Sequence, residues 1–312
     1  MNYTSAQYDD GDHDGPINGT PLHWAAAKGR SRAVRLLLSR GALSDIGMRD
    51  QDGLTPLHTA AYNSNAAAVQ TLLDLGADPD ATDEYGRQPL HWAVIGRFLG
   101  HSPEIISWTW NSLQTDPQKS SALSKKLAAL ELTISHLIAH NASVNCPDTF
   151  GRTPLHYAAY MKQTIAMTLF LQHGADPCLI DTDGRTTFHH LASPLYTPHF
   201  RDLADATTDD AHLTTTTLAT RIQDSANTTT ILNHRDNTGT TALHLAARCA
   251  SAPVVALLLT LGADPNLALT FPDNKEPETQ EAGKTTALHL AAHLPSWARR
   301  QLGTYEEQEY VV

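Results

Sequence analysis

Cysteine is scarce in this chain, three among 312 residues, too few for a disulfide framework. Cys146 and Cys178 fall in successive turns, and neighbouring turns of a stack sit too far apart for an unstrained bridge, so all three are expected as reduced, structural thiols. Long apolar runs are missing too. No stretch of about 18 apolar residues occurs, so no membrane span is expected. The N-terminus is acidic where a secretory signal is basic and then apolar, and the Asn-x-Ser/Thr sequons at Asn2, Asn18, Asn141 and Asn227 read as chance matches. Positive charge is the minority: 22 Lys and Arg against 33 Asp and Glu give a formal net charge of -11. That balance argues against general nucleic-acid binding, which needs a basic surface, and suits a basic partner or simply solubility. The chain has no glycine-rich phosphate loop, no Gly-x-Ser-x-Gly elbow and no His-Glu-x-x-His.

What is present is repetition. Thr20-Pro21-Leu22-His23 returns as Thr55-Pro56-Leu57-His58, Gln88-Pro89-Leu90-His91 and Thr153-Pro154-Leu155-His156. It continues as Thr186-Thr187-Phe188-His189, Thr241-Ala242-Leu243-His244 and Thr286-Ala287-Leu288-His289. The steps between first residues are 35, 33, 65, 33, 55 and 45, a base period of 33 carrying insertions, and such a period means a stacked array. Thr is a good N-cap, and Pro at the first helical position loses no needed donor. Leu and an Ala-Ala pair then start a short, thin helix. A second apolar run, such as Val69 to Leu73, ends at a glycine suited to a left-handed C-cap, as in Gly76-Ala77-Asp78 and Gly174-Ala175-Asp176. An Asp-x-x-Gly turn leads to the next Thr, at Asp50, Asp83, Asp148, Asp181 and Asp236; Asp bonds its own backbone there and Gly accepts positive φ.

These phrases, at this spacing, resemble the ankyrin repeat family over roughly residues 18–302, insertions excepted. The resemblance implies an all-α fold: an ankyrin-repeat solenoid of stacked helix-turn-helix units with hairpin-like turns, about seven repeats with three insertions. Repeats start near 18, 50, 83, 148, 181, 236 and 285. The insertions are 97–126, 194–230 and 267–284, flanked by an acidic tail at 1–17 and a C-terminal tail at 303–312. Within the first insertion, Ser102-Pro103-Glu104 signals a helix start ahead of Trp108 and Trp110, which either fold back on the array or meet a partner. The second helix of repeat 3 is expected at 127–140 and that of repeat 5 at 213–225, beside the run Thr214 to Thr217. The Asp9–Asp14 cluster reads as a solvated tail or a weak cation site, and Tyr310-Val311-Val312 has the general shape of a C-terminal ligand.

The 17 histidines look like a catalytic or metal endowment, but seven are motif positions, where the resemblance implies a structural imidazole tying adjacent turns. His136 and His140 share a helix face, a spacing that can hold metal, yet no third ligand accompanies them. No catalytic residue, cofactor or metal is expected. The resemblance implies that partner proteins contact the turn tips and the inner face of the first helices. That gives Tyr85, Arg87, Phe150, Arg152 and Arg185 in the turns, and Tyr62, Tyr160 and Met161 on the helices. The three arginines share one register beside two aromatics, residue types that dominate interfaces; arginine at this place also commonly pairs with a turn aspartate. Trp24, Trp92 and Tyr157 follow the motif histidine, where large residues pack between helices. The expected function is a protein–protein interaction module or scaffold: a monomer, cytoplasmic or nuclear, binding one or more proteins and neither nucleic acid nor membrane. The alternative is an enzyme with its site in the groove or under the insertions. A third reading is a regulatory or anchoring part of a larger assembly.

Overall fold

A computed structural model of the chain describes residues 19–41, 45–96, 117–193, 228–249, 251–269 and 285–292. Among these the secondary structure is helical, with isolated β-bridges at Ile180–Thr186 and Ala268–Thr286. Two compact units are distinguished. The first holds α1 (Pro21–Ala27), α2 (Ser31–Ser39), α3 (Pro56–Tyr62), α4 (Ala66–Asp74), α5 (Pro89–Ile95) and the last part of α6 (Pro117–Ala139). The second holds the start of α6 and then α7 (Pro154–Tyr160), α8 (Thr164–Gln172), α9 (Thr187–Ala192), α10 (Thr228–Leu232), α11 (Ala242–Arg248), α12 (Ala252–Thr260) and α13 (Ala287–Ala292).

In both units a seven-residue or six-residue motif helix packs on its own second helix and on the motif helix of the next repeat: α1 on α3 and α3 on α5 in the first, α7 on α9, α9 on α11 and α11 on α13 in the second. The Ala pairs make this possible, since Ala26, Ala60, Ala61, Ala158, Ala159 and Ala246 are fully buried. The motif helices α1, α3, α5, α7, α9 and α11 are entered as their sequence dictates, through an extended N-cap residue and, in α1, α3, α5 and α7, a proline in the first turn.

The helix expected from residue 127 begins ten residues earlier, at Pro117, so the end of the first insertion continues directly into α6. Gln118, Lys119, Ala122, Leu123, Lys125 and Lys126 are good helix formers, and propensity carries the helix outward. The two tryptophans of that insertion, the helix expected at 213–225, the threonine run, both tails and the end of repeat 7 lie outside the described residues.

Candidate interaction surface

The turns are built by their aspartates. Oδ1 of Asp50, Asp83, Asp148, Asp181 and Asp236 each accepts two backbone N–H groups, from the residues two and four positions on, at 2.8–3.0 Å. The glycine that follows takes φ of 72–76°, and in the second unit successive turns bond to each other, Thr182 N to Phe150 O and Asn237 N to Asp183 O, both 2.9 Å.

The motif histidines lock each turn to its neighbour. Nδ1 of His23, His58, His156 and His189 lies 2.9 Å from the N-cap Thr hydroxyl and 3.1–3.2 Å from the Thr N–H. A nitrogen receiving a backbone N–H must be the unprotonated one, so Nε2 carries the proton. It donates to Leu54 O, Arg87 O, Leu179 O and Thr240 O respectively, at 2.9–3.1 Å. Burial lowers the imidazoles of His58, His156 and His189 to about 4, in spite of those carbonyl bonds, so they stay neutral near pH 7. This is the structural histidine that the repeat motif implies.

The carboxylate's other oxygen carries a second pattern. Nine residues after the turn aspartate, directly behind the motif histidine, a donor reaches back to Oδ2: Trp92 Nε1 to Asp83 at 3.0 Å, Tyr157 hydroxyl to Asp148 at 2.7 Å, and His190 Nε2 to Asp181 at 2.9 Å. Trp92 and Tyr157 are buried as expected and His190 with them, whereas Trp24, expected to pack in the same way, is exposed; the polar ends of the three buried side chains have a specific task. The signal was present as Asp-x8-Trp, Asp-x8-Tyr and Asp-x8-His; residue size hid it. Repeat 2 has Thr59 at this place, too short to reach, and Asp50 Oδ2 is left buried without a hydrogen bond. Burial accordingly raises the Asp50 carboxyl. At Asp181 burial pushes the same way, yet the His190 bond, the Arg185 N–H and the charges of His190 and Arg152 hold it at about 2.

The arginines are engaged by these carboxylates. In the first unit Arg87 Nε bonds Asp83 Oδ2 at 2.7 Å, and its guanidinium lies 4.9 Å from the Tyr85 ring centre and 4.4 Å from that of Trp92. Trp92 also meets the half-buried Tyr62 edge-on at 5.6 Å. In the second unit Arg152 lies 3.6 Å from Asp181 and 3.9 Å from Asp183, an ion pair too long for a hydrogen bond, and sits 5.2 Å from the Phe150 ring centre. Arg185 bonds Asp236 at 3.3 Å and reaches Asp183 at 4.0 Å. Tyr160, half-buried at the end of α7, faces the His190 ring at 6.4 Å, and Met161 caps that helix. Tyr85 and Phe150 remain 49% and 44% exposed. Each therefore presents an aromatic ring on a rigid turn, backed by an arginine whose charge is already balanced.

Among the described residues no three His, Cys, Asp or Glu side chains are grouped to hold a metal ion, and no helix is long and apolar enough to cross a membrane. The cysteines Cys146, Cys178 and Cys249 are free thiols, and burial pushes Cys178 up to about 12.

Against known proteins, a family model for ankyrin repeats in three copies matches residues 22–108 and 122–199, and a single ankyrin repeat matches 238–268. Palmitoyltransferase AKR1 of Lachancea kluyveri is 30% identical over 178 residues, covering 56% of this chain and 20% of that protein. Inversin of Canis lupus familiaris is 29% identical over 243 residues, covering 76% of this chain and 21% of that protein. The chain thus spans under a third of the length of the curated relatives it matches. The crystal structure of the ankyrin repeat domain of Bcl-3, a member of the IkappaB protein family, matches with a TM-score of 0.56 at 21% identity, covering 93% of this chain and 100% of the other.

Proposed function

Because the chain belongs to the ankyrin repeat family, we propose that it is a protein-interaction module whose turn tips and adjoining first helices receive a partner protein, acting by binding rather than catalysis. The observation that carries this reading is the pair of exposed rings, Tyr85 and Phe150, each held on a hydrogen-bonded turn against an arginine. Aromatic anchors with few rotatable bonds lose little entropy on binding, and they are the residues on which interface energy concentrates. The paired arginines leave the rings flanked by balanced charge, which suits an apolar or mixed contact on the partner. Reduced thiols favour a cytoplasmic or nuclear setting. The transferase named in one relative belongs to that protein, of which this chain spans about a fifth.

The test is affinity capture with the full chain beside Tyr85→Ala and Phe150→Ala variants, read by mass spectrometry. A protein recovered with the parent chain and lost with either variant, helix content unchanged, supports the surface. Equal recovery with all three places binding elsewhere. Charge reversal of Arg152 or Arg185 makes a poor probe, because it would set a new carboxylate against buried Asp181 or Asp236 and destabilise the turns themselves.

A further inference from the structure

The first repeat exposes a face that repeats 2 to 6 largely bury. Trp24 is 42% exposed, whereas Thr59, Trp92, Tyr157, His190 and Leu245 at the same motif place are buried. Leu36 is 57% exposed, whereas Thr71 and Leu257, at its place in α4 and α12, are buried. Pro21 is exposed where Pro56, Pro89 and Pro154 are not. Between α1 and α2 this leaves an open groove of about 640 Å³, floored by Trp24, Leu36 and Leu37 and rimmed by Lys28 and Arg30. Arg32 and Arg35 stand exposed on α2 beside it. Residues 19–41 contain no Asp or Glu, so the face is apolar in its centre and purely basic around it.

We propose that residues 1–18 of the chain itself cover this face, their aspartates meeting the basic rim and their apolar side chains the Trp24–Leu36 floor. The segment carries Asp9, Asp10, Asp12 and Asp14 and no Lys or Arg, the complement of the rim. It also offers Tyr3, Tyr8 and Ile17 for the floor. Gly19 lines the groove, so the segment is tethered at its edge, and its aspartates stand five to ten residues away, roughly 17–35 Å of extended chain. A tether this short gives an effective concentration on the order of millimolar, which lets weak exposed pairs suffice. A second copy fits less well, because two such faces would set Lys28, Arg30, Arg32 and Arg35 against their own counterparts, and like charges suppress association. The segment acts as a cap on the stacking end of the array, distinct from the turn tips, and competes with any acidic partner for that end.

The full chain carrying the photoreactive residue benzoylphenylalanine in place of Tyr8 provides the test. Irradiation is expected to link it within the same chain to the stretch Trp24–Leu37. The yield is expected to fall about tenfold when Asp9, Asp10, Asp12 and Asp14 are all changed to Asn, since several exposed pairs are lost together. Links to other parts of the chain, or a yield indifferent to the four substitutions, would overturn the proposal. Links formed chiefly between two chains would overturn it in favour of a copy-to-copy face.

Discussion

A single hydroxyl, indole or imidazole decides whether a buried carboxylate in these turns is settled or stranded. Asp148 has its Tyr157 donor and Asp50 has none. Tyr157→Phe is therefore expected to cost about 1–3 kcal/mol, the price of orphaning a buried acceptor, measured by urea unfolding. Asp50→Asn is expected to cost clearly less than Asp148→Asn, because Asn keeps the Oδ1 bonds and Asp50 has nothing to lose at Oδ2. Equal losses at the two sites would show that the Oδ2 donor contributes nothing. The motif histidines set the acid limit of the fold. His58, His156 and His189 are held at about 4 against an ordinary 6.5, so the folded chain favours their neutral form. Their contribution is complete above pH 6.5 and is lost as pH falls from there toward 4, at up to about 1.4 kcal/mol per pH unit for each imidazole. Asp181, held at about 2 against 3.8, loses its contribution only below that window. Urea midpoints are expected to drop between pH 6.5 and 4; a flat profile there would contradict the buried neutral imidazoles.

Helices and turns differ in how plainly the sequence announced them. Thr-Pro-Leu-His marks the starts of α1, α3 and α7 to the residue, because cap, proline and first apolar contact all point the same way. The Asp-x-x-Gly turns were equally legible, since one side chain and one glycine specify the whole loop. The start of α6 was not, because the motif ends at 97–126 and only helix propensity extends the element. The arginines were legible as a shared register and as partners of a turn aspartate, but not which aspartate each takes: Arg87 pairs within its own turn, whereas Asp181 and Asp236 come to Arg152 and Arg185 from the next turn in space, 29 and 51 residues on. Glycines in the two kinds of link can be told apart only in three dimensions. Gly151 has φ of 72° and a Cβ there would lie 3.1 Å from the Asp181 backbone, whereas Gly174 has φ of 84° with open space around it. Gly174→Ala is expected to cost about 1 kcal/mol, the left-handed penalty alone, and Gly151→Ala at least twice that, because backbone must also move. Thermal unfolding of the two variants decides the ranking.

On the scale of the whole molecule, stability in an array is a sum of repeats and their nearest-neighbour interfaces. Phe188 is completely buried in α9, which packs on α7 and α11. Phe188→Ala is expected to cost about 3–5 kcal/mol. Amide exchange should quicken most in α7, α9 and α11 and less in α13, one repeat further along; a uniform increase over all four helices would mean that the second unit opens as one body. The same nearest-neighbour logic governs the interruption that follows α9. His58 reaches Arg87 across 29 residues of sequence and His189 reaches Thr240 across 51, yet the two bonds are 3.1 and 3.0 Å. Closing the longer stretch costs only about half a kcal/mol more chain entropy, so the stack registers which turn comes next and not how much polypeptide lies between. The joint between α9 and the turn of Asp236 is thus specified by its own contacts, His189 to Thr240 and Arg185 to Asp236, whatever the length of chain that links them.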